Sequence, residues 1–326
     1  MRRLLFLLLA LISGPAYADE ATHSMMHNGV DRPYIVYTPP GYNTDLSHPV
    51  IIALHGGGGN PEQFRDSNGL QEQAAKAGML LVYPSGVPGD RMKQLRTWNA
   101  GKCCAGAVVK NSDDVGYIRQ VIDNLPYDYN IDKARIYVTG HSNGAQMAYR
   151  LSCELSDRIA AIAPVAGQAV TLSCNPARAI PVLHIHGTAD KCATYDGAEK
   201  CGGCFAEILG QRGDNPAAGA LSWPCDSVPK SMATRAALYQ CAAESTPTPA
   251  EGPVTCETWQ GCRDNAHVTL CSVAEAGHSW PGGSEPGMCQ RNPDGQRCQK
   301  WQERSGARAE GVDAAKMIVD FFQSVK

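Results

Sequence analysis

The chain has no apolar run long enough to cross a bilayer, no basic block, no internal repeat and no long low-complexity tract. A spanning helix needs about 20 apolar residues, and the one sustained run, Leu4 to Ile12, is roughly half that. Neither sign of charge dominates, with 29 basic and 32 acidic side chains. That excludes the electrostatic footprint of a nucleic-acid or anionic-lipid binder. Zinc-type ligand spacing is also missing. Cys201-Gly-Gly-Cys204 has no second ligand pair at the required distance and no βαβ unit around it. No metal and no cofactor are expected.

What is present begins with a leader pattern. Arg2 and Arg3 precede the apolar run, and Ala16-Tyr17-Ala18 closes it with the small-residue spacing of a cleavage site. Residues 1–18 are therefore expected to be a removed signal peptide, without a cysteine for lipid attachment. Loss of both arginines makes the remainder two units more negative than the −3 of the full chain. All fourteen cysteines follow the leader. In a secreted chain, extracellular or periplasmic, they are expected to pair as disulfides.

Apolar strand-like runs alternate with helical patterns. Strands are expected at 32–39, 48–54, 78–83, 134–139, 160–165 and 180–185, and a hairpin from 254–259 and 268–273. Helices are expected at 114–125, 145–155 and 311–325, the first capped from Asn111-Ser112-Asp113. Buried strands separated by helices imply an α/β fold with a mainly parallel sheet covered on both faces. Residues 191–229 lack periodicity and hold four cysteines, which suggests a disulfide-tied insertion. A second irregular segment, 281–300, holds Cys289 and Cys298. No interdomain linker stands out, so residues 19–326 are expected to form one domain.

Gly140-His141-Ser142-Asn143-Gly144 lies between an expected strand and an expected helix. Glycines permit the sharp turn that exposes a nucleophilic serine, so Ser142 is the candidate nucleophile. A serine needs a base held by a third group. Asp190 follows the strand at 180–185 and His278 follows the strand at 268–273. Parallel sheets place their sites at those carboxyl ends, and the chain order Ser, Asp, His is that of α/β-hydrolases. Amides of Asn143 and of Gly57, in His55-Gly56-Gly57-Gly58-Gly59, are the candidate oxyanion donors. His55 is expected to support that loop, and His184 and His186 to pack at a strand end. Asp113 and Asp114 read as helix-start residues rather than a catalytic pair.

Taken together, LHGGGG (54–59), TWNAGKCCAG (97–106), DDVGYI (113–118), GHSNGAQMAYRLSCELSDRIAAIAPVAG (140–167), LHIHGTAD (183–190) and GHSWPGG (277–283) resemble one esterase family. It is the one that groups secreted feruloyl esterases with polyhydroxybutyrate depolymerases, within carbohydrate esterase family 1. The resemblance covers most of residues 30–285. It implies an α/β-hydrolase fold with disulfide-tied loop insertions, and it matches Ser142, Asp190 and His278 to the family's catalytic positions. Trp98 matches a tryptophan typical of the group, as an acyl-pocket wall or equally as a core aromatic. Trp280 is a second substrate-binding candidate.

The insertion after Asp190 is longer than the family pattern, and no separate polymer-binding module is evident. The expected substrate is a feruloylated cell-wall fragment, with a hydroxyalkanoate polyester or oligomer as the alternative. Acetyl xylan, a peptide, or a non-catalytic secreted binding role rank below these. A monomer is expected.

The cysteines fall into local groups: 103, 104, 153 and 174; then 192, 201, 204 and 225; then the pairs 241–262, 256–271 and 289–298. Cys103 and Cys104 are expected to find separate partners, because a bridge between neighbours closes a strained ring.

Overall fold

The computed structural model describes residues 18–89, 93–171, 173–202, 222–285 and 287–325. The expected leader, except Ala18, and residues 203–221 of the expected insertion, Cys204 included, lie outside the described residues.

Strands β1 (Asp19–His27) and β2 (Val30–Thr38) form an antiparallel hairpin. Next come β3 (His48–Leu54), α1 (Pro61–Ser67), α2 (Leu70–Ala77) and β4 (Leu80–Pro84). Two short strands, β5 (Val87–Pro88) and β6 (Arg96–Thr97), pair with each other ahead of α3 (Ala105–Val109) and α4 (Asp114–Asp128). The middle of the chain is β7 (Ile131–His141), α5 (Asn143–Glu154), β8 (Ala161–Val165) and β9 (Val182–Gly187). A small ribbon of β10 (Ala198–Gly202) and β11 (Ser222–Cys225) precedes α6 (Val228–Leu238) and β12 (Thr246–Thr248). The chain ends with β13 (Val254–Trp259), β14 (Val268–Val273), α7 (Gly287–Arg291), α8 (Gln296–Ser305) and α9 (Ala314–Ser324).

The main sheet runs β1-β2-β4-β3-β7-β8-β9-β14-β13-β12. Its six central strands, β4 to β14, are mutually parallel, and antiparallel pairs close each edge. The period-2 alternation of a strand divides its side chains between two cores. Val50, Ile52 and Leu54 of β3 face Met147 of α5 and Met232 of α6, while Ile51 and Ala53 face Leu70 of α2 and Phe322 of α9. This is an α/β-hydrolase fold: a mostly parallel sheet covered on both faces.

β3, β13 and β14 occupy the expected ranges. β1 has no counterpart among the expected elements because it is an edge strand with mostly polar, exposed residues. The segment 281–300, expected to be irregular, carries α7 and the first half of α8. Their residues are largely polar, so no apolar period marks them, and the Cys289–Cys298 bridge joins the two.

Disulfides join 153–174, 201–225, 241–262, 256–271 and 289–298, and Cys192 is bonded as well. One expectation is corrected. Cys103 and Cys104 pair with each other, across a cis peptide that brings their Cα atoms to 3.1 Å and turns both side chains the same way.

Candidate active site

β7 ends in a turn that only small residues allow. A Cβ on Gly140 would lie 2.6 Å from the Gly144 carbonyl carbon, and one on Gly144 would meet the Leu54 carbonyl. Between them Ser142 adopts φ 54°, ψ −117°, a backbone position disfavoured for a residue with a Cβ. α5 starts immediately after it, so its first amide, on Asn143, has no acceptor within the helix.

Three expected residues meet here. The Ser142 hydroxyl lies 2.8 Å from His278 Nε2, and His278 Nδ1 lies 2.8 Å from Asp190 Oδ2. A carboxylate only accepts, so Nδ1–H donates to Asp190 and Nε2 is left to take the serine proton. Asp190 is buried, and its other oxygen, Oδ1, accepts from the amides of Cys192 (2.7 Å) and Ala193 (2.8 Å). Burial alone would raise its pKa. The charge of His278 and hydrogen bonds from His186 and His278 outweigh that and hold the carboxyl well below the usual range. The His278 loop is fixed from behind, with amides of Gly277 and His278 bonding Ala307 and Ser305 carbonyls.

The glycine loop after β3 lies against the same turn. A Cβ on Gly56 would lie 3.6 Å from Ser142 Cβ, and one on Gly57 would lie 3.4 Å from Asn143 Cβ. Gly58 and Gly59 amides are bonded to Arg96 and Gly56 carbonyls. Among the described residues the Gly57 amide has no acceptor. Gly57 and Asn143 thus lie against the serine turn with amides that have no main-chain acceptor among the described residues.

The support of this loop is polar. Buried His55 donates from Nδ1 to the Gly56 carbonyl (2.8 Å) and accepts at Nε2 from the Gly86 amide (2.9 Å), which requires a neutral ring. Burial lowers its pKa to about 3. His141, whose ring lies 5.1 Å from that of His278, is likewise lowered to about 3, by burial and then by the nearby His278 charge.

The two tryptophans lie beside this loop. Trp98 is completely shielded: its Nε1 donates to the His55 carbonyl (2.9 Å) and its amide to Asn143 Oδ1 (2.8 Å). Asn143 Nδ2 returns a hydrogen bond to the Trp98 carbonyl at 3.1 Å. The indole turns inward to reach its acceptor, leaving no face for a substrate. Trp280 is also buried, edge-on to Phe64 with ring centroids 5.3 Å apart. Both are packed against neighbouring segments.

Sequence reasoning missed a buried ion pair. Arg32 of β2 bonds Asp114 at 2.8 Å and stacks on Tyr117, while Asp114 Oδ2 accepts the Asn99 amide at 2.7 Å. It anchors the Trp98 segment to the sheet. Asp113 caps α4 as expected, accepting from the Gly116 amide.

A family model described as "Esterase PHB depolymerase" matches residues 32–204, more than half of the chain. The chain belongs to this esterase family. NocK of Nocardia uniformis subsp. tsuyamanensis, an esterase by name, is 30% identical over 276 residues, 83% of this chain and 77% of its own length. Feruloyl esterase B of Piromyces equi is 29% identical over 255 residues, 76% of this chain but 42% of the relative. A bifunctional acetylxylan esterase/xylanase of Neocallimastix patriciarum is 29% identical over 171 residues, 52% of this chain and 23% of that protein. Among solved structures, an acetyl xylan esterase from Aspergillus awamori has the same fold, with a TM-score of 0.54 at 11% identity, covering 83% of this chain and 97% of that one.

Proposed function

We propose that the chain is a secreted serine esterase that works through an acyl-enzyme. The supporting observation is the unbroken hydrogen-bonded line from Ser142 through His278 to Asp190. In this reading the Ser142 hydroxyl attacks the ester carbonyl while His278 Nε2 takes its proton. The oxyanion is met by the Gly57 and Asn143 amides. Protonated His278 then gives its proton to the departing alkoxide, and a water repeats the sequence to free the acid. Asp190 keeps His278 in the tautomer this requires and stabilises its charged form.

Feruloyl-type esters of plant cell-wall fragments are the proposed substrates, in keeping with the feruloyl esterase among the relatives. The family's own description favours one other reading, hydrolysis of hydroxyalkanoate polyesters or oligomers. The proposal includes removal of residues 1–18, one catalytic domain over 19–326, and a monomeric enzyme. Among the described residues no helix is long and apolar enough to cross a membrane.

A fluorophosphonate is expected to add one label, on Ser142, and Ser142→Ala is expected to lose both label and turnover while staying folded. Retention of more than about a tenth of wild-type kcat in Ser142→Ala removes the nucleophile from this reading. The substrate is decided by kcat/KM on methyl ferulate, acetylated xylan, hydroxybutyrate oligomers and short nitrophenyl esters. Preference for the hydroxybutyrate oligomers replaces the first substrate reading with the second.

A further inference from the structure

The hydrogen-bonded line does not stop at Asp190. His186, fully buried on β9, has Nε2 3.2 Å from Asp190 Oδ2 and 2.7 Å from the Ala193 carbonyl. Both neighbours only accept, so Nε2 must carry the proton. His186 Nδ1 is then an acceptor, and His184 Nε2, 2.9 Å away, donates to it. His184 Nδ1 must in turn accept, and the Tyr149 hydroxyl of α5 supplies the proton at 2.9 Å. Met232 Sδ, 3.2 Å from the same hydroxyl, is the weaker acceptor. Every tautomer is determined without a charge on either ring. Two residues apart on one strand, His184 and His186 share a face, which is how both reach α5 and the Asp190 loop.

We infer that His186 is a positioning residue: its Nε2–H, oriented through His184 by the Tyr149 hydroxyl, holds Asp190 and moderates the charge that Asp190 presents to His278. The inference rests on the proposed Ser142–His278–Asp190 reading and deepens it. Asp190 Oδ2 is shared by two imidazole donors. A proton from His186 withdraws electron density from that oxygen, so His278 gains less from becoming charged. Without the proton, Asp190 stabilises the imidazolium more strongly. The other groups facing this line are His141 and Ser142 at His278, Tyr195 at the edge of the His186 ring, and Arg235 over the face of Tyr149. None of them offers Asp190 a replacement donor.

Two substitutions at one position separate the contacts. In His186→Asn the short amide can still accept from His184 but no longer reaches Asp190. In His186→Gln the longer amide places an N–H where Nε2 was. For His186→Asn, kcat per phosphonate-titrated site is expected to fall about tenfold, with KM within about twofold. The acid limb of kcat/KM is expected to move up by about 0.5–1 pH unit. His186→Gln is expected to recover to within about threefold of wild type. Tyr149→Phe is expected to move the limb the same way by less, and it decides the matter alone if the His186 variants do not fold.

An unmoved acid limb with normal kcat per titrated site in His186→Asn, or in Tyr149→Phe where only that variant folds, overturns the inference. Equal impairment of Asn and Gln variants also overturns it, since that is what loss of packing gives. Activity persisting in Ser142→Ala instead overturns the reading beneath, whatever the His186 variants do.

Discussion

On the β3–β7 side of the site, side chains hold main chain. His55 bridges Gly56 and Gly86, Trp98 bonds the His55 carbonyl, and Asn143 bonds both main-chain polar groups of Trp98. On the β9–β14 side, main chain and covalent bonds hold the side chains. Amides of Cys192 and Ala193 bind Asp190, the 305–307 segment binds the His278 loop, and Cys256–Cys271 crosses β13 and β14 below it. The first arrangement serves two backbone donors, which need only be kept in place. The second serves a carboxylate and an imidazole, whose rotamers and protonation must be set as well. The two sides should therefore fail in different ways.

The largest effect is expected on the β9–β14 side. Asp190→Asn keeps the shape and the two amide contacts but removes the charge, and it allows His278 to turn its proton the wrong way. A loss of about 10⁴ in kcat is expected, with a melting temperature close to wild type. Steady-state kinetics with an unfolding curve check both. A loss below about tenfold would mean that Asp190 does not orient the base.

Asn143→Ala tests the other side. It leaves the Trp98 amide buried without a partner, at about 1–3 kcal/mol, and leaves the Trp98 carbonyl only the Cys104 amide. Turnover is expected to fall about 10- to 100-fold, since the loop that carries the Gly57 amide loses its anchor. Here activity and stability should drop together, unlike in Asp190→Asn. A stable variant with normal kcat would show that the Trp98 contacts do not serve catalysis.

Acid should separate the sides further. The folded pKa of His55 and of His141 is about 3, below the unfolded value near 6.5. Between those values the unfolded chain binds more protons, so stability is full above about pH 6.5 and declines as pH falls toward 3. The decline approaches about 1.4 kcal/mol per pH unit for each histidine. His184, lowered well below its ordinary value chiefly by burial, adds to it from the other side. Melting temperature against pH is expected to flatten by one proton in His55→Gln, and the Gly86 and Trp98 amides should exchange faster in acid before those of β13 and β14 do. An unchanged slope would mean that His55 is not the neutral buried group its two partners require.

Legibility in the sequence follows the same division. Ser142, Asp190 and His278 stand out because each directly follows an apolar run, and local pattern fixes both the strand and its end. The pair 256–271 is readable from its spacing about the turn near Arg263-Asp264 and 241–262 from local grouping, and bridges join those residues. The polar scaffold was not readable in that way. Trp98 and Asn143 are 45 residues apart, and nothing local says that an indole will turn toward a carbonyl rather than a substrate. The contact of His186 with Asp190 had a faint signal, two polar residues four apart around a strand end, but a packed histidine reads identically. Nothing in the local sequence shows that neighbouring Cys103 and Cys104 pair with each other despite the strain of the ring they close.

The smallest effect on turnover is expected from removing the staple itself. Cys256 and Cys271 are direct partners in the β13–β14 ladder, with Cα atoms 4.1 Å apart and fifteen positions apart in sequence. A closed loop of that length contributes about 3 kcal/mol, chiefly by restricting the unfolded chain. In Cys256→Ala/Cys271→Ala the ladder from Val254–Val273 to Trp259–Val268 still sets register, and β14 still pairs with β9 along its whole length. The folded geometry around His278 therefore has no reason to change at 25 °C, and kcat is expected to stay within about twofold while the melting temperature drops by about 5 °C. Mild reduction of the wild type should follow the same course: activity is lost on warming before the whole fold melts, as the His278 loop opens first. A fall of more than tenfold in kcat at 25 °C, with the fold intact by circular dichroism, would show that the bridge shapes the native site. The β9–β14 side would then depend on its disulfide in the way the β3–β7 side depends on Asn143.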